Sequence, residues 1–203
     1  VMFVTAIFNA MFVLPWYFSK IPVVDGPSLK LLHVNVLSSN TEYDRLITLI
    51  EIEKPDLIFL QEVTPEWVAG TERLLEEYPH AHVEVRRRNF GTAAFSKLPF
   101  DSIRHIDSPP LAHPTIVATM TFNAEPLTII SSHPTTPIKR FSYHARNEQL
   151  ESIAERANQV VGKVILLGDF NSSLWCSHFW KLKASTGLRN VRQGFGILPS
   201  WPT

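Results

Sequence analysis

From Val1 to Phe18 the chain runs without a single charged residue, and Trp16 and Tyr17 close the run before Lys20. A bilayer-spanning helix needs ~20 apolar residues with aromatic and basic residues at the interface. Residues 1–20 therefore read as the end of a transmembrane helix, with a signal-peptide core or a buried helix as the other readings. Residues 21–28 read as a linker, punctuated by Pro22, Gly26 and Pro27.

From Leu29 the pattern turns regular. "LKLLHVNV" predicts a buried strand. "TEYDRLITLIEIEK" predicts a helix capped by Thr41, with Leu46, Leu49, Ile50 and Glu53 at helical spacing, ended by Pro55. "DLIFLQEV" predicts a second buried strand, and Pro65 opens a helix through "EWVAGTERLLEEY". Past Pro79 come short alternating or β-branched runs, "AHVEVRRR", "GTAAFSK", "TIVATMTF" and "PLTIISSH", separated by turn residues, which predict antiparallel strands and hairpins. A long helix follows over Arg140 to Val161, with Leu150, Ile153, Ala154, Ala157 and Val161 on one stripe and Gly162 as its stop. "KVILLGDF" is the last strand. This order fits an α/β (α+β) fold of two packed mixed sheets with helices outside, following the N-terminal apolar helix.

Composition adds limits. The chain has 203 residues, 45% of them apolar, enough for one sizeable core. With 19 basic and 19 acidic residues its formal charge is zero, so no global field marks a nucleic-acid binder. The one cysteine, Cys176, excludes an internal disulfide.

Four apolar strands end in polar residues: Asn35, then Gln61 and Glu62, then His133, then Asp169 and Asn171. Taken singly, each is an ordinary turn residue. Together they point to one convergent site, because ligands of open α/β sheets bind outside the carboxyl ends of strands and a charge ending an apolar run is costly unless paired, hydrated or metal-bound. Asn35 and Glu62 offer hard oxygens suited to Mg²⁺ or Mn²⁺ rather than zinc. His133 suits a general acid or a donor to a phosphoryl oxygen, Asp169 can orient or deprotonate a water, and Asn171 can hold a phosphate. In-line displacement at phosphorus needs mainly such positioning and charge neutralisation. In the terminal strand Gly168 permits a tight end and Phe170 is expected to point back into the core.

The order of these residues resembles the endonuclease/exonuclease/phosphatase superfamily, which includes deoxyribonuclease I, apurinic endonucleases, bacterial sphingomyelinases and inositol polyphosphate phosphatases. The resemblance runs from about Leu29 to Pro202 and rests on "HVNV", "LQEV", "FGTAAFSKLP" around Gly91 and Ser96, "SSHP", "RNEQL" with Arg146 and Gln149, and "GDFN". It implies a four-layer αββα sandwich over residues 29–203. It also implies a divalent metal on Glu62 and Asn35, a phosphate ester clasped by catalytic His133, Asp169 and Asn171, and Arg146 in substrate binding. The chain looks most like bacterial members with N-terminal transmembrane helices, which would place it at the inner membrane.

The family pattern continues with an Asp-His segment and a further strand. The chain starts at Val1 and stops at Thr203 without them, so it reads as a fragment that is expected to be weakly active or inactive, with the extended chain active. Candidate substrates are nucleic acid, phospholipid or a small phosphate ester. Arg86 to Arg88, Lys139, Arg140 and Arg146 form the local basic clusters that could steer a polyanion. The plainer reading alternates the three arginines on a strand and pairs Arg146 with Glu148 or Glu151. A membrane-tethered domain that keeps the fold but only binds is the rival to an enzyme.

Overall fold

The computed structural model describes residues 2–18, 25–86 and 88–197. Lys20, residues 21–24 of the expected linker, Arg87 and residues 198–203 lie outside them. The chain divides into two compact units, one made of residues 1–26 with 187–203 and the other of residues 27–186.

In the smaller unit, α1 (Met2–Val13) and α2 (Pro15–Phe18) take up the apolar run. The sequence pattern predicts one continuous helix here; instead it breaks at Leu14–Pro15, because proline has no N–H to continue the ladder and clashes with the preceding turn. At 1.5 Å per residue the 12-residue α1 is about 18 Å long, against roughly 30 Å of bilayer hydrocarbon. Among the described residues no helix is long and apolar enough to cross a membrane. Trp16 is buried, and its carbonyl accepts the N–H groups of Gly194 (2.9 Å) and Gly196 (2.8 Å).

The larger unit holds two four-stranded mixed sheets. The first comprises β1 (Leu31–Asn35), β2 (Leu57–Gln61), β3 (His80–Glu84) and β4 (Thr92–Ser96), ordered β1-β2-β4-β3. The second runs β5 (Ser102–Ser108), β6 (His113–Phe122), β7 (Glu125–Ser132) and β8 (Lys163–Leu167) in sequence. Each sheet has one parallel pair, β1 with β2 and β7 with β8, and is otherwise antiparallel. The helices are α3 (Tyr43–Glu53), α4 (Pro65–Gly70), α5 (Leu74–Glu77), α6 (Arg140–Asn158) and α7 (Ser177–Thr186).

Strand β2 shows why the apolar runs are unbroken. All five of its residues are buried, and successive side chains leave opposite faces. Leu57 and Phe59 join Ala94, Ile116, Ala118, Met120 and Ile129 between the sheets. Ile58 and Leu60 join Ile47, Ile50, Trp67, Leu74 and Tyr78 under the helices of the first sheet. Ile130 turns to the outer face of the second sheet, and α6 buries Leu150, Ile153, Ala154 and Ala157. The result is the four-layer αββα sandwich the sequence predicts.

Local corrections have local causes. Helix α3 is preceded by Glu42 without a side-chain cap rather than by Thr41, and it buries Ile47 while leaving Leu49 exposed. The helix expected from Pro65 to Tyr78 splits into α4 and α5, where Thr71 Oγ1 bonds back to the Trp67 carbonyl at 2.7 Å. Helix α6 ends at Asn158, so Val161 falls outside the stripe and is exposed. Strand β3 ends at Glu84 before the arginines, and Arg86 pairs with Glu84 and Asp107. Strand β5 and helix α7 have weak apolar periodicity and were not legible from the pattern.

Candidate active site

The parallel pairs bring four strand ends to one place. Asn35 is the last residue of β1, and Glu62 follows β2 at φ +66°. His133 follows β7, and Asp169 lies two residues past β8. The Asn35 amide connects the sheets: its Nδ2 donates to Glu62 Oε1 at 3.0 Å and to Asp169 Oδ2 at 3.4 Å. Glu62 Oε2 accepts the Ser38 N–H at 3.0 Å, and Asn35 Oδ1 accepts the Leu37 N–H at 3.0 Å. The loop after β1 thus orients both side chains.

The opposite wall is held mostly through backbone groups. Asp169 Oδ1 accepts the Asn171 N–H at 3.0 Å, and Asn171, at φ +47°, donates from Nδ2 to the Pro134 carbonyl at 2.9 Å. A non-glycine residue in the left-handed region is strained unless its surroundings over-determine it. Arg146 supplies part of that restraint: its Nη1 donates to the Asn171 carbonyl at 2.7 Å and its Nε to Asn147 Oδ1 at 2.8 Å. Arg146 is only 3% exposed, with its guanidinium 5.4 Å from the Tyr143 ring. It therefore pairs with neither Glu148 nor Glu151, and its contacts support the Asn171 loop from behind. Phe170 is half-buried between the two polar residues.

His133 is buried, and its Nδ1 finds no hydrogen-bond partner among the described residues. Burial pulls its imidazole below the ordinary histidine value, opposed by the charges of Asp169 and Glu62 and by a hydrogen bond with the Asn89 backbone. The neutral ring can donate one N–H and accept one hydrogen bond. Phe90 lies 5.2 Å from it and stacks on His113 at 3.5 Å between centroids. Burial, reinforced by the neighbouring His133, pushes His113 down to about 4.

The donor set suits a hard cation better than a soft one. Glu62 and Asp169 present carboxylate oxygens to the same Asn35 amide, and each carboxylate keeps lone pairs beyond the bonds it accepts. Mg²⁺ commonly takes only one or two carboxylates and keeps several waters. Among the described residues no group of three or more His, Cys, Asp or Glu is arranged to hold a metal.

Three neighbours of the site are not assigned by the sequence. Gln61 stands at a strand end, and the period of two places it on the inner face with Leu57 and Phe59. The stacking of Phe90 on His113 joins segments that only the fold brings together.

The model of the Endonuclease/Exonuclease/phosphatase family matches residues 32–203. No curated protein matches in sequence. Among solved structures, TDP2 from D. rerio complexed with a single-strand DNA product superposes with a TM-score of 0.66 at 19% identity, over 76% of this chain and 64% of that one. The chain thus spans a little under two thirds of that relative. Sphingomyelinase C from Streptomyces griseocarneus gives 0.66 at 16% identity, over 81% of this chain and 72% of that one. A β-hairpin deletion mutant of beta toxin from Staphylococcus aureus gives 0.63 at 16% identity, over 82% and 75%.

Proposed function

The chain belongs to the Endonuclease/Exonuclease/phosphatase family, and from that premise we propose that it hydrolyses phosphate esters, phosphodiesters foremost, with a divalent cation, Mg²⁺ or Mn²⁺. The observation that carries this reading is the Asn35 amide bridging Glu62 and Asp169 from two different sheets, beside the buried His133. Glu62 and Asn35 would hold the cation, which when bound would neutralise charge developing on the phosphoryl oxygens. The chain's own groups do the rest. Asp169, fixed by the Asn171 N–H, is set to orient a water and take its proton. His133 stands as general acid or hydrogen-bond donor to a phosphoryl oxygen, and Asn171 closes the phosphate subsite. Arg146 holds Asn171 in place rather than meeting substrate. Exposed Arg88, Lys139 and Arg140 are available to a polyanion.

The test is hydrolysis of bis-p-nitrophenyl phosphate, with and without Mg²⁺, by the wild-type protein and by Glu62→Gln. The expected result is metal-dependent turnover that falls by about a hundredfold in the variant. Equal rates with and without metal in both proteins would leave the non-catalytic binding domain as the better reading. Parallel assays on DNA, RNA, sphingomyelin and phosphoinositide then select the substrate. Attachment to the bacterial inner membrane through the apolar N-terminal segment is the matching proposal for location, supported by the exposed apolar side chains of α1. Quantitative release of the protein from membranes by alkaline carbonate would sink it.

A further inference from the structure

Gln61 is buried to 1% exposure at the end of β2, next to Glu62. Its side chain crosses the space between the sheets. Nε2 donates to the Ser132 carbonyl at 2.9 Å, and Oε1 accepts the Asp169 N–H at 2.8 Å. The two peptide groups it reaches lie 71 and 108 residues away in sequence. One is the carbonyl immediately before His133; the other belongs to Asp169 itself.

We propose that Gln61 is a positioning residue for the hydrolysis: one amide fixes the frame in which His133 and Asp169 stand opposite Glu62. This rests on the function proposed above. An amide suits the task because it carries a donor and an acceptor on one rigid plane. A carboxylate would turn a second acceptor toward the Ser132 carbonyl, and an apolar side chain would leave both peptide groups unpaired in a buried site. Gly168 is shaped to the same contact. A Cβ at Gly168 would lie 1.8 Å from the Ser132 oxygen and 2.9 Å from Gln61 Nε2, so only glycine lets the β8 end approach so closely.

Two variants test this on the full chain. Gln61→Met removes both hydrogen bonds at nearly constant volume. Gln61→Glu keeps an acceptor for Asp169 and removes the donor to Ser132. Amide exchange followed by NMR reads the first effect without any turnover. In Gln61→Met the Asp169 N–H should exchange at least about tenfold faster while β7 and β8 amides stay protected. In Gln61→Glu the Asp169 amide should keep its protection while the His133 ring resonances shift. On bis-p-nitrophenyl phosphate both should lower kcat by about ten- to a hundredfold with KM within about twofold, because misplacement costs transition-state contacts more than binding. Wild-type protection of Asp169 in Gln61→Met, or an unchanged kcat in either folded variant, overturns the proposal. If Gln61→Met does not fold, Gln61→Glu decides through its His133 resonances and its kcat. Wild-type protein that turns over no phosphodiester would defeat the proposed function instead, and amide exchange would still decide whether Gln61 fixes Asp169.

Discussion

The two parallel strand pairs present the same kind of ends and hold them differently. At β1 and β2, Asn35 and Glu62 are tied to each other and to the N–H groups of Leu37 and Ser38, both in a partly exposed loop. At β7 and β8, the His133 and Asp169–Asn171 segments are anchored by buried Gln61 and Arg146, acting on main-chain groups. The first pair is held through its own side chains and a partly exposed loop, the setting the proposed cation site would have. The second has its geometry set by the packed interior, as preorganised groups require.

The comparison can be broken from the rigid side first. Gly168→Ala drives a Cβ into the Ser132 carbonyl at a φ of +145° and should cost about 3 kcal/mol or more, seen as a lower midpoint in denaturant unfolding. A variant within 1 kcal/mol of wild type would mean the β8 end is not rigid. Arg146→Met leaves the Asn147 side chain and the Asn171 carbonyl without their buried donor, for about 2–4 kcal/mol and a fall in kcat. If stability drops while kcat holds, Asn171 does not depend on Arg146.

Acid should also act on the rigid side. His113 is held neutral by burial, at about 4 against 6.5 for the free side chain. Between these values the unfolded chain binds the proton more readily, so stability declines as pH falls from about 6.5 toward 4. His33 and His133 are shifted down by burial and act in the same direction. His113→Phe should flatten the slope of stability against pH in that window, and an unchanged slope would assign the effect to the other histidines.

The β1–β2 side should tolerate change best. Ser38→Ala loses only the bond from Oγ to Asn89 Oδ1 at 3.1 Å and keeps the backbone N–H on Glu62. It should cost less than about 1 kcal/mol by thermal unfolding. A larger loss would mean that the loop after β1 is as firmly built as the clasp opposite.

Much of the architecture is legible along the chain because its causes are local. Seven of the eight strands sit in apolar or alternating runs, and Pro55, Pro65 and the Asn-Ala-Glu-Pro stretch punctuate them as turn chemistry demands. Strand β5 escapes because Arg104, His105 and Asp107 fall among its apolar positions and blur the alternation. The split between α4 and α5 escapes because the Thr71 hydroxyl, which bonds back to the Trp67 carbonyl at the end of α4, leaves no break in the apolar pattern.

The candidate site divides in the same way. That Asn35, Glu62, His133, Asp169 and Asn171 end apolar runs is a property of the sequence alone, because a polar group after a buried strand must find a partner. That the Asn35 amide would join Glu62 to Asp169 was decided only when the two sheets packed. So was the place of Arg146 behind Asn171, and of Gln61 between the Ser132 carbonyl and the Asp169 N–H. Hydrophobic periodicity reports which face of a strand is buried, but carries nothing about which strand from the other half of the chain lies across the gap. That choice belongs to the packing of the whole sandwich.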